Sequence, residues 1–205
     1  MRCDRKTMRL YAVTDRAWVG QGTLGDQVEQ ALRGGVTCVQ LREKSLGVPA
    51  ILVEAEEIGA LCRSYGVPFL INDRVDAVRV GQKDRAAREV RRLLGPIRIL
   101  GVSARTVEQA VQAERDGADY LGVGAVFSTS TKADAMPVSY ETLQAICRAV
   151  SIPVVAIGGI QRENLLSLAG SGVDGVALVS AIFAAPDVET ASRELRALSE
   201  AMVRA

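Results

Sequence analysis

Histidine is absent from this sequence of 205 residues. Its absence excludes every mechanism that needs an imidazole base, a histidine-containing triad or a histidine metal ligand. The four cysteines lie far apart and form no CxxC pair, which disfavours a structural zinc site. Chemistry in this chain must therefore use carboxylates, lysine and arginine, hydroxyl groups, thiols or a metal that is held by oxygen ligands.

The sequence also lacks a charge imbalance and a long apolar run. It has 25 basic and 24 acidic side chains, and this balance disfavours nucleic acid or an anionic membrane as the main partner. The longest apolar stretches, 152–160 and 175–185, fall well short of the roughly 20 residues that cross a bilayer. The N-terminus lacks the apolar region of a signal peptide. We therefore expect a cytoplasmic protein that binds neither nucleic acid nor membranes.

Short β-branched runs alternate with amphipathic helical patterns along the chain. The helical patterns span 24–34, 50–65, 84–94, 105–116, 139–149, 161–170 and 187–204. Nearly continuous apolar strands between helices are typical of a parallel sheet that helices cover. We predict a single α/β domain over residues 1–205, a TIM (β/α)8 barrel, with a doubly wound open sheet as the alternative.

One place breaks this alternation. The third strand pattern ends at Asp73, and Asp84 already opens the next clear helix. A helix and a strand do not fit between them, since a parallel crossover alone takes about a dozen residues. We therefore predict that the region around the third helix and fourth strand is shortened or missing, with the lesion between Val75 and Val80.

Polar residues follow the second strand pattern, at the end where barrel enzymes place their working residues. Alternation directs Gln40, Arg42 and Lys44 to one face of the strand and Glu43 to the other. The three converging side chains are candidates for binding a polar or anionic ligand. The alternative is a solvated loop in which Arg42 and Lys44 pair with Glu43.

Oxygen donors follow the third strand pattern. Asn72 and Asp73 end it, and Asp84 opens the following helix. Two carboxylates and an amide near one rim suit Mg²⁺, whereas helix N-caps are the alternative role for the two aspartates. The sixth strand runs into the hydroxyl-rich segment 122–137, which carries Lys132. Such loops either close over phosphates or serve as exposed connections.

The seventh and eighth strand patterns end in short polar segments. Gly158 and Gly159 follow the seventh strand, and Val179 and Ser180 follow the eighth. Barrel enzymes often bind phosphate with the loops after these two strands, through backbone N–H groups and a helix N-terminus. This pairing favours a phosphorylated ligand, and glycines that only make a tight turn are the alternative.

Eight segments of the chain resemble one known family when they are taken together. They are YAVTDR (11–16), GGVTCVQLREK (34–44), FLINDRVD (69–76), VGQKD (80–84), ILGVSARTVEQA (99–110), DYLGVGAVFSTSTKADA (119–135), IPVVAIGGI (152–160) and GVDGVALVSAI (172–182). In this order they closely resemble the thiamine-phosphate synthases over nearly the whole chain. The combination of QLREK, IND and TSTK is far more specific than any one of these motifs.

The resemblance implies an enzyme that joins the pyrimidine diphosphate HMP-PP to the thiazole phosphate THZ-P, giving thiamine phosphate and pyrophosphate. In this family pyrophosphate is expected to leave first, and the thiazole nitrogen then captures a pyrimidine-stabilised carbocation. Such a reaction needs Mg²⁺, cations and a closed site, but no histidine base. The implied partners are small phosphorylated molecules, and the sequence leaves a homo-oligomer open.

The resemblance also implies a role for individual residues. Those expected to hold the pyrimidine diphosphate are Gln40, Arg42, Lys44, Asn72, Ser103 and Lys132, of which Ser103 and Lys132 are also expected to be catalytic. Asp73 and Asp84 are expected to hold Mg²⁺. The positions that match the thiazole-phosphate site are Thr129, Ser130, Thr131, Gly159, Val179 and Ser180.

The sequence departs from the family where the strand and helix alternation fails. The family has several more residues between INDRVD and a GVHLGQ-like strand, and it has histidine where Arg79 falls. Two other functions therefore stay open. One is a barrel that binds the thiazole phosphate without turnover. The other is a relative of the thiazole tautomerases, which are expected to use a histidine near the sixth strand, where this chain has none.

Overall fold

The computed structural model describes residues 3–20, 22–72, 79–80, 87–128 and 137–205, and only the backbone of 79–80. The strands of this part are β1 Leu10–Val13, β2 Cys38–Leu41, β3 Phe69–Ile71, β4 Arg79–Val80, β5 Gly101–Ala104, β6 Tyr120–Gly124, β7 Val154–Ile157 and β8 Gly175–Leu178. They pair in parallel in the order β3-β2-β1-β8-β7-β6-β5-β4. Because strands that follow each other along the chain also neighbour each other in space, the fold is a TIM-like barrel, and the doubly wound alternative is wrong.

The open seam of this barrel lies between β3 and β4. No pairing joins these two strands within the described residues, and only residues 72–78 connect them. A helical crossover between parallel strands needs about a dozen residues, so this connection is too short for one. The predicted shortening around the third helix and fourth strand is thus confirmed. Its narrower placement falls largely on residues outside the described ranges and stays a prediction.

Helices lie between most strands. In the described residues they are α1 Leu24–Arg33, α2 Val48–Ser64, α3 Ala87–Leu94, α4 Val107–Arg115, α5 Tyr140–Ala149, α6 Ser180–Phe183 and α7 Val188–Arg204. Side chains at the N-caps of α1, α4, α5 and α7 each accept a backbone N–H from the first turn, which fixes where these helices begin. None of the described helices is long and apolar enough to cross a bilayer.

The helix expected over 161–170 is wrong, because this segment forms only a 3₁₀ turn over Leu165–Leu168. Its two ends are buried and three residues apart, which suits a 3₁₀ turn. The Asn164 side chain accepts the Gln161 N–H at 2.8 Å before the turn, and Gly170, at φ 75°, follows it. The connection from β7 to β8 is therefore compact without an α-helix.

Alternation along the strands separates two apolar clusters. Leu10 and Ala12 of β1 belong to the cluster that packs under the helices, whereas Tyr11 and Val13 belong to the interior cluster of the barrel. Cys38 on β2 is also in the interior cluster, where burial raises the pKa of its thiol well above the usual range. This agrees with a packing role for Cys38. A single domain over residues 1–205 stays a prediction. It is supported by the fact that all eight described strands belong to one sheet.

Candidate active site

The carboxyl ends of the parallel strands meet at one rim of the barrel, and the structure brings most of the described candidates there. These are Gln40 and Arg42 at the end of β2, Asn72 after β3, Ser103 on β5, Gly159 after β7, and Val179 and Ser180 after β8. The candidates that lie outside the described residues are Asp73, Asp84, Thr129, Ser130, Thr131 and Lys132. Arg79 lies on β4, and its side chain is also outside the described part.

Arg42 is held at the rim by residues that follow β1. Its Nη1 lies 2.9 Å from Asp15 Oδ2, and its backbone N–H donates to Thr14 Oγ1 at 3.0 Å. The side chain is only 10% exposed. A guanidinium fixed in this way offers a planar set of N–H donors, which is the geometry that binds phosphate oxygens in pairs.

Glu43 is not the partner of Arg42 or Lys44, so that alternative is wrong. Its Oε2 accepts from Arg16 Nε at 2.7 Å, and its Oε1 accepts from the N–H and the hydroxyl of Ser45, each at 2.7 Å. Lys44 is exposed and forms no ion pair within the part of the chain that the structure describes. Its ammonium therefore stays available to an anion that approaches the rim.

The ion pair of Glu43 predicts a specific pH dependence of stability. Burial alone would raise the pKa of Glu43, but hydrogen bonds from Arg16 and Ser45 outweigh it and lower this pKa to about 2. A carboxyl with a depressed pKa in the folded state stabilises the protein above its unfolded pKa, and this contribution is lost as the pH falls toward 2. In urea unfolding between pH 5 and pH 2, we expect Glu43→Gln to reduce the pH dependence of the unfolding free energy. An unchanged slope in this variant would contradict the assignment.

Gln40 extends from β2 into the barrel interior and is 1% exposed. Its Nε2 donates to the Tyr11 hydroxyl at 2.8 Å, and this hydroxyl lies 2.9 Å from that of Tyr120. Its Oε1 is buried and has no hydrogen-bond partner among the described residues. Gln40 lines a small interior recess together with Gly122 and Ile157. An acceptor placed in this way suits a ligand that donates a hydrogen bond.

Asn72 and Ser103 lie on opposite sides of the open seam. The Asn72 backbone N–H donates to the Leu41 carbonyl at 2.9 Å, which continues the β2–β3 pairing to the rim. Ser103 pairs in register with Gly122 on β6 and is half-buried. Since Gly122 lines the interior recess, alternation places Ser103 on the same inner face.

The turn after β7 is built around Gly158 and Gly159. Their φ angles are 99° and 67°, a region that favours glycine. A Cβ on Gly159 would lie 2.4 Å from the Ser128 carbonyl oxygen, and a Cβ on Gly158 would lie 2.6 Å from the Ala125 Cβ. The two glycines therefore let the segment after β6 pack directly against the end of β7. This packing explains the tight turn, and the phosphate site stays a prediction.

The short helix α6 begins at Ser180, immediately after β8. The Gln161 amide donates to the Ser180 hydroxyl at 3.2 Å and so joins the β7 loop to this helix. The first N–H groups of any helix have no partner within it, and a short extra helix after the eighth strand is a frequent phosphate site in barrel enzymes. Sequence reasoning missed α6, because its residues continue the apolar run of β8 and the periodicity does not separate the two.

The described residues include no cluster of three acidic or cysteine side chains that could hold a metal ion. Asn72, which precedes Asp73 in the sequence, lies within the described residues and offers an amide oxygen. The two expected Mg²⁺ ligands, Asp73 and Asp84, lie outside them. The metal assignment thus depends on Asp73 and Asp84, on which the structure gives no information.

Known proteins resemble this chain over nearly its full length. The family model for thiamine monophosphate synthase matches residues 10–182. A thiamine-phosphate synthase of Ruminiclostridium cellulolyticum is 48% identical over 91% of this chain and 92% of its own, and that of Chloroflexus aurantiacus is 47% identical over 93% and 92%. The solved structure of a thiamine phosphate pyrophosphorylase from Pyrococcus furiosus is 37% identical. It superposes with a TM-score of 0.88 over 97% of this chain and 98% of its own.

Proposed function

This chain belongs to the thiamine-phosphate synthase family, and from that premise we propose how its rim joins the pyrimidine diphosphate to the thiazole phosphate. The observation that carries the proposal is that two places suited to an anion lie on one rim. Arg42, held by Asp15, lies after β2, and the turn at Gly159 with the start of α6 lies after β7 and β8. Two phosphorylated substrates can therefore bind with their rings directed toward the same interior recess.

The pyrimidine diphosphate is proposed to bind on the β2 side. The cations of Arg42 and Lys44 face the diphosphate, and Gln40 faces the pyrimidine ring from below, since its amide lies inside the barrel. Asn72 and Ser103 complete this site across the seam. Lys132, of the hydroxyl-rich sequence segment after β6, is proposed to contact the leaving pyrophosphate, where a positive charge stabilises the developing negative charge.

The thiazole phosphate is proposed to bind on the β7 and β8 side. Gly159, Val179 and Ser180 supply backbone groups and a hydroxyl. Further hydroxyl donors are proposed from Thr129, Ser130 and Thr131, which follow β6 in the sequence. Backbone N–H groups at a turn and at a helix start suit a phosphate dianion. In this arrangement the thiazole nitrogen attacks the pyrimidine methylene carbon once pyrophosphate has left.

Mg²⁺ is the cofactor implied by the family, and the donor set fits it. Asp73 and Asp84 are carboxylates and Asn72 is an amide, and oxygen ligands of this kind are what Mg²⁺ prefers. When bound, Mg²⁺ neutralises charge on the leaving pyrophosphate. Asp73 directly follows Asn72 in the sequence, and the Asn72 backbone is fixed at the rim by its hydrogen bond to the Leu41 carbonyl.

The metal and lysine assignments predict large kinetic effects without unfolding. We expect Asp73→Ala and Lys132→Ala each to reduce turnover at least about tenfold, because each removes stabilisation of the leaving group. Circular dichroism and thermal unfolding should show a folded protein in both cases. Raising Mg²⁺ should partly rescue Asp73→Ala but not Lys132→Ala. Wild-type turnover of either variant at saturating Mg²⁺ would remove that residue from the mechanism.

The second candidate function is a barrel that binds the thiazole phosphate without turnover, and the short connection from β3 to β4 favours it. Chromatography separates the two functions. After incubation with both substrates and Mg²⁺, we expect thiamine phosphate to appear in a one-to-one ratio with pyrophosphate. Binding of the thiazole phosphate by calorimetry, with no product, would support the second candidate instead.

We also propose that the protein works in the cytoplasm. The four cysteines are all free thiols, and structural disulfides are rare in reducing compartments. Oligomeric state stays part of the proposal as well. Light scattering that gives the mass of a dimer or larger assembly would support a homo-oligomer, and the mass of one chain would contradict it.

A further inference from the structure

Three hydrogen-bonding side chains form a chain across the barrel interior, below the rim. Tyr120 on β6 and Tyr11 on β1 lie edge to face, with ring centroids 6.0 Å apart and hydroxyl oxygens 2.9 Å apart. Gln40 Nε2 on β2 then donates to the Tyr11 hydroxyl at 2.8 Å. Each of these three residues is at most 2% exposed. We call these three hydrogen-bonded side chains the tyrosine relay. It ends at Gln40 Oε1, which has no hydrogen-bond partner among the described residues.

The neighbouring strand leaves space for the relay. A Cβ on Gly101 of β5 would lie 2.2 Å from Tyr120 Cζ and 2.3 Å from its hydroxyl oxygen. No larger residue fits at this position while Tyr120 keeps its place. Since β6 and β1 are separated by β7 and β8 in the sheet, the tyrosines meet across the interior rather than along one strand pair.

The free end of the relay points to a ligand. A buried acceptor without a partner is costly, and few such groups persist in folded proteins. Here Gln40 lines the recess together with Tyr11, Tyr120 and Gly122. A group that donates N–H or O–H from this recess satisfies Gln40 and removes the cost.

With Tyr11 as the donor to Tyr120, the relay sets which end of the Gln40 amide is left for a ligand. A carboxamide has a donor end and an acceptor end of nearly the same shape. Because the Tyr11 oxygen accepts from Nε2, the acceptor end of Gln40 is the one left for a ligand. When Tyr11 donates its own proton to Tyr120, it has none to offer to Oε1, and the reversed amide loses its partner.

We propose that Tyr11 and Tyr120 are positioning residues that orient the Gln40 amide to accept an N–H donor from the ring of a bound heteroaromatic diphosphate. The inference rests on the proposed function, in which Gln40 faces the aminopyrimidine. A ring with an exocyclic amine is accepted in this orientation, and a ring with a carbonyl oxygen in the same place is rejected because two acceptors face each other.

The test compares Tyr120→Phe with Tyr140→Phe. Tyr140 is a matched control, since its hydroxyl also donates one hydrogen bond, to the Ala169 carbonyl at 2.7 Å, on the outside of the barrel. Each protein is assayed with the aminopyrimidine diphosphate and with its analogue in which a carbonyl replaces the amine. We expect Tyr120→Phe to lower the ratio of the two kcat/KM values at least about tenfold. Its KM for the thiazole phosphate should stay unchanged, and Tyr140→Phe should keep the wild-type ratio.

Equal ratios in the wild type and Tyr120→Phe would overturn the inference. If Tyr120→Phe does not fold, Tyr11→Phe removes the hydroxyl that accepts from Gln40 directly and is assayed in the same way. Calorimetry of the two diphosphates gives a readout that does not need turnover. A wild type without turnover would contradict the proposed function, whereas its binding preference for the amine, and the loss of that preference in Tyr120→Phe, would still test the relay.

Discussion

Arg42→Ala is expected to lower kcat/KM for the pyrimidine diphosphate about 100-fold or more, which corresponds to roughly 3 kcal/mol of lost transition-state stabilisation. The guanidinium is largely buried at the rim, and one face is fixed by Asp15 at 2.9 Å. Its removal takes away a pre-oriented cation beside the leaving diphosphate. Arg42→Lys should recover only part of the loss, because an ammonium lacks the planar pair of donors. Steady-state kinetics with each substrate varied in turn measures this.

Two controls separate a direct role of Arg42 from a structural one. Asp15→Asn removes the charge that holds Arg42 but leaves the guanidinium, so we expect a loss of less than about tenfold. Arg204→Ala breaks an exposed ion pair with Glu200 in the last turn of α7 and should leave kinetics unchanged. Equal losses for Arg42→Ala and Asp15→Asn would show that Arg42 acts only through the ion pair.

Gly159→Ala is expected to damage both the fold and the thiazole-phosphate site. The residue has φ 67°, and its Cβ would lie 2.4 Å from the Ser128 carbonyl oxygen and 2.8 Å from the Phe127 carbonyl carbon. Backbone atoms cannot move aside as a flexible side chain does, so the turn must open. We expect the unfolding free energy to fall by about 2–4 kcal/mol. KM for the thiazole phosphate should rise at least about tenfold.

Gly66→Ala is the matched control for this clash. Gly66 has nearly the same backbone angle, φ 66°, but nothing lies within 4 Å of its Cβ position. It should therefore show only the cost of a left-handed alanine, about 1 kcal/mol, and normal kinetics. Urea unfolding of both variants isolates the effect of the close approach. Equal destabilisation of the two would contradict the packing argument.

Local periodicity predicted those features that depend on one strand or one helix. It placed Gln40 and Arg42 on the strand face opposite Glu43, and it located the shortened region before β4. It did not predict that Glu43 pairs with Arg16, because that contact depends on how β1 and β2 come together. Local periodicity also could not predict that Gln40 Oε1 is an acceptor without a partner among the described residues, because the tyrosines that orient the amide lie on other strands, β1 and β6.

The errors arise where a short segment has no pattern of its own. The segment 161–170 contains enough leucine to suggest a helix, but only Leu165 and Leu168 are buried, and a 3₁₀ turn suffices. α6 is four residues long and continues an apolar strand, so its existence depends on packing after β8. The family resemblance, in contrast, rests on several motifs in order and was confirmed by full-length relatives.

Pyrophosphate release tests the central claim most directly, namely that this shortened barrel is a working synthase. The purified protein is assayed with the pyrimidine diphosphate, the thiazole phosphate and Mg²⁺, and each component is omitted in turn. We predict release that depends on all three. No release from the complete mixture, despite saturable binding of the thiazole phosphate, would contradict the account and leave a ligand-binding barrel without turnover.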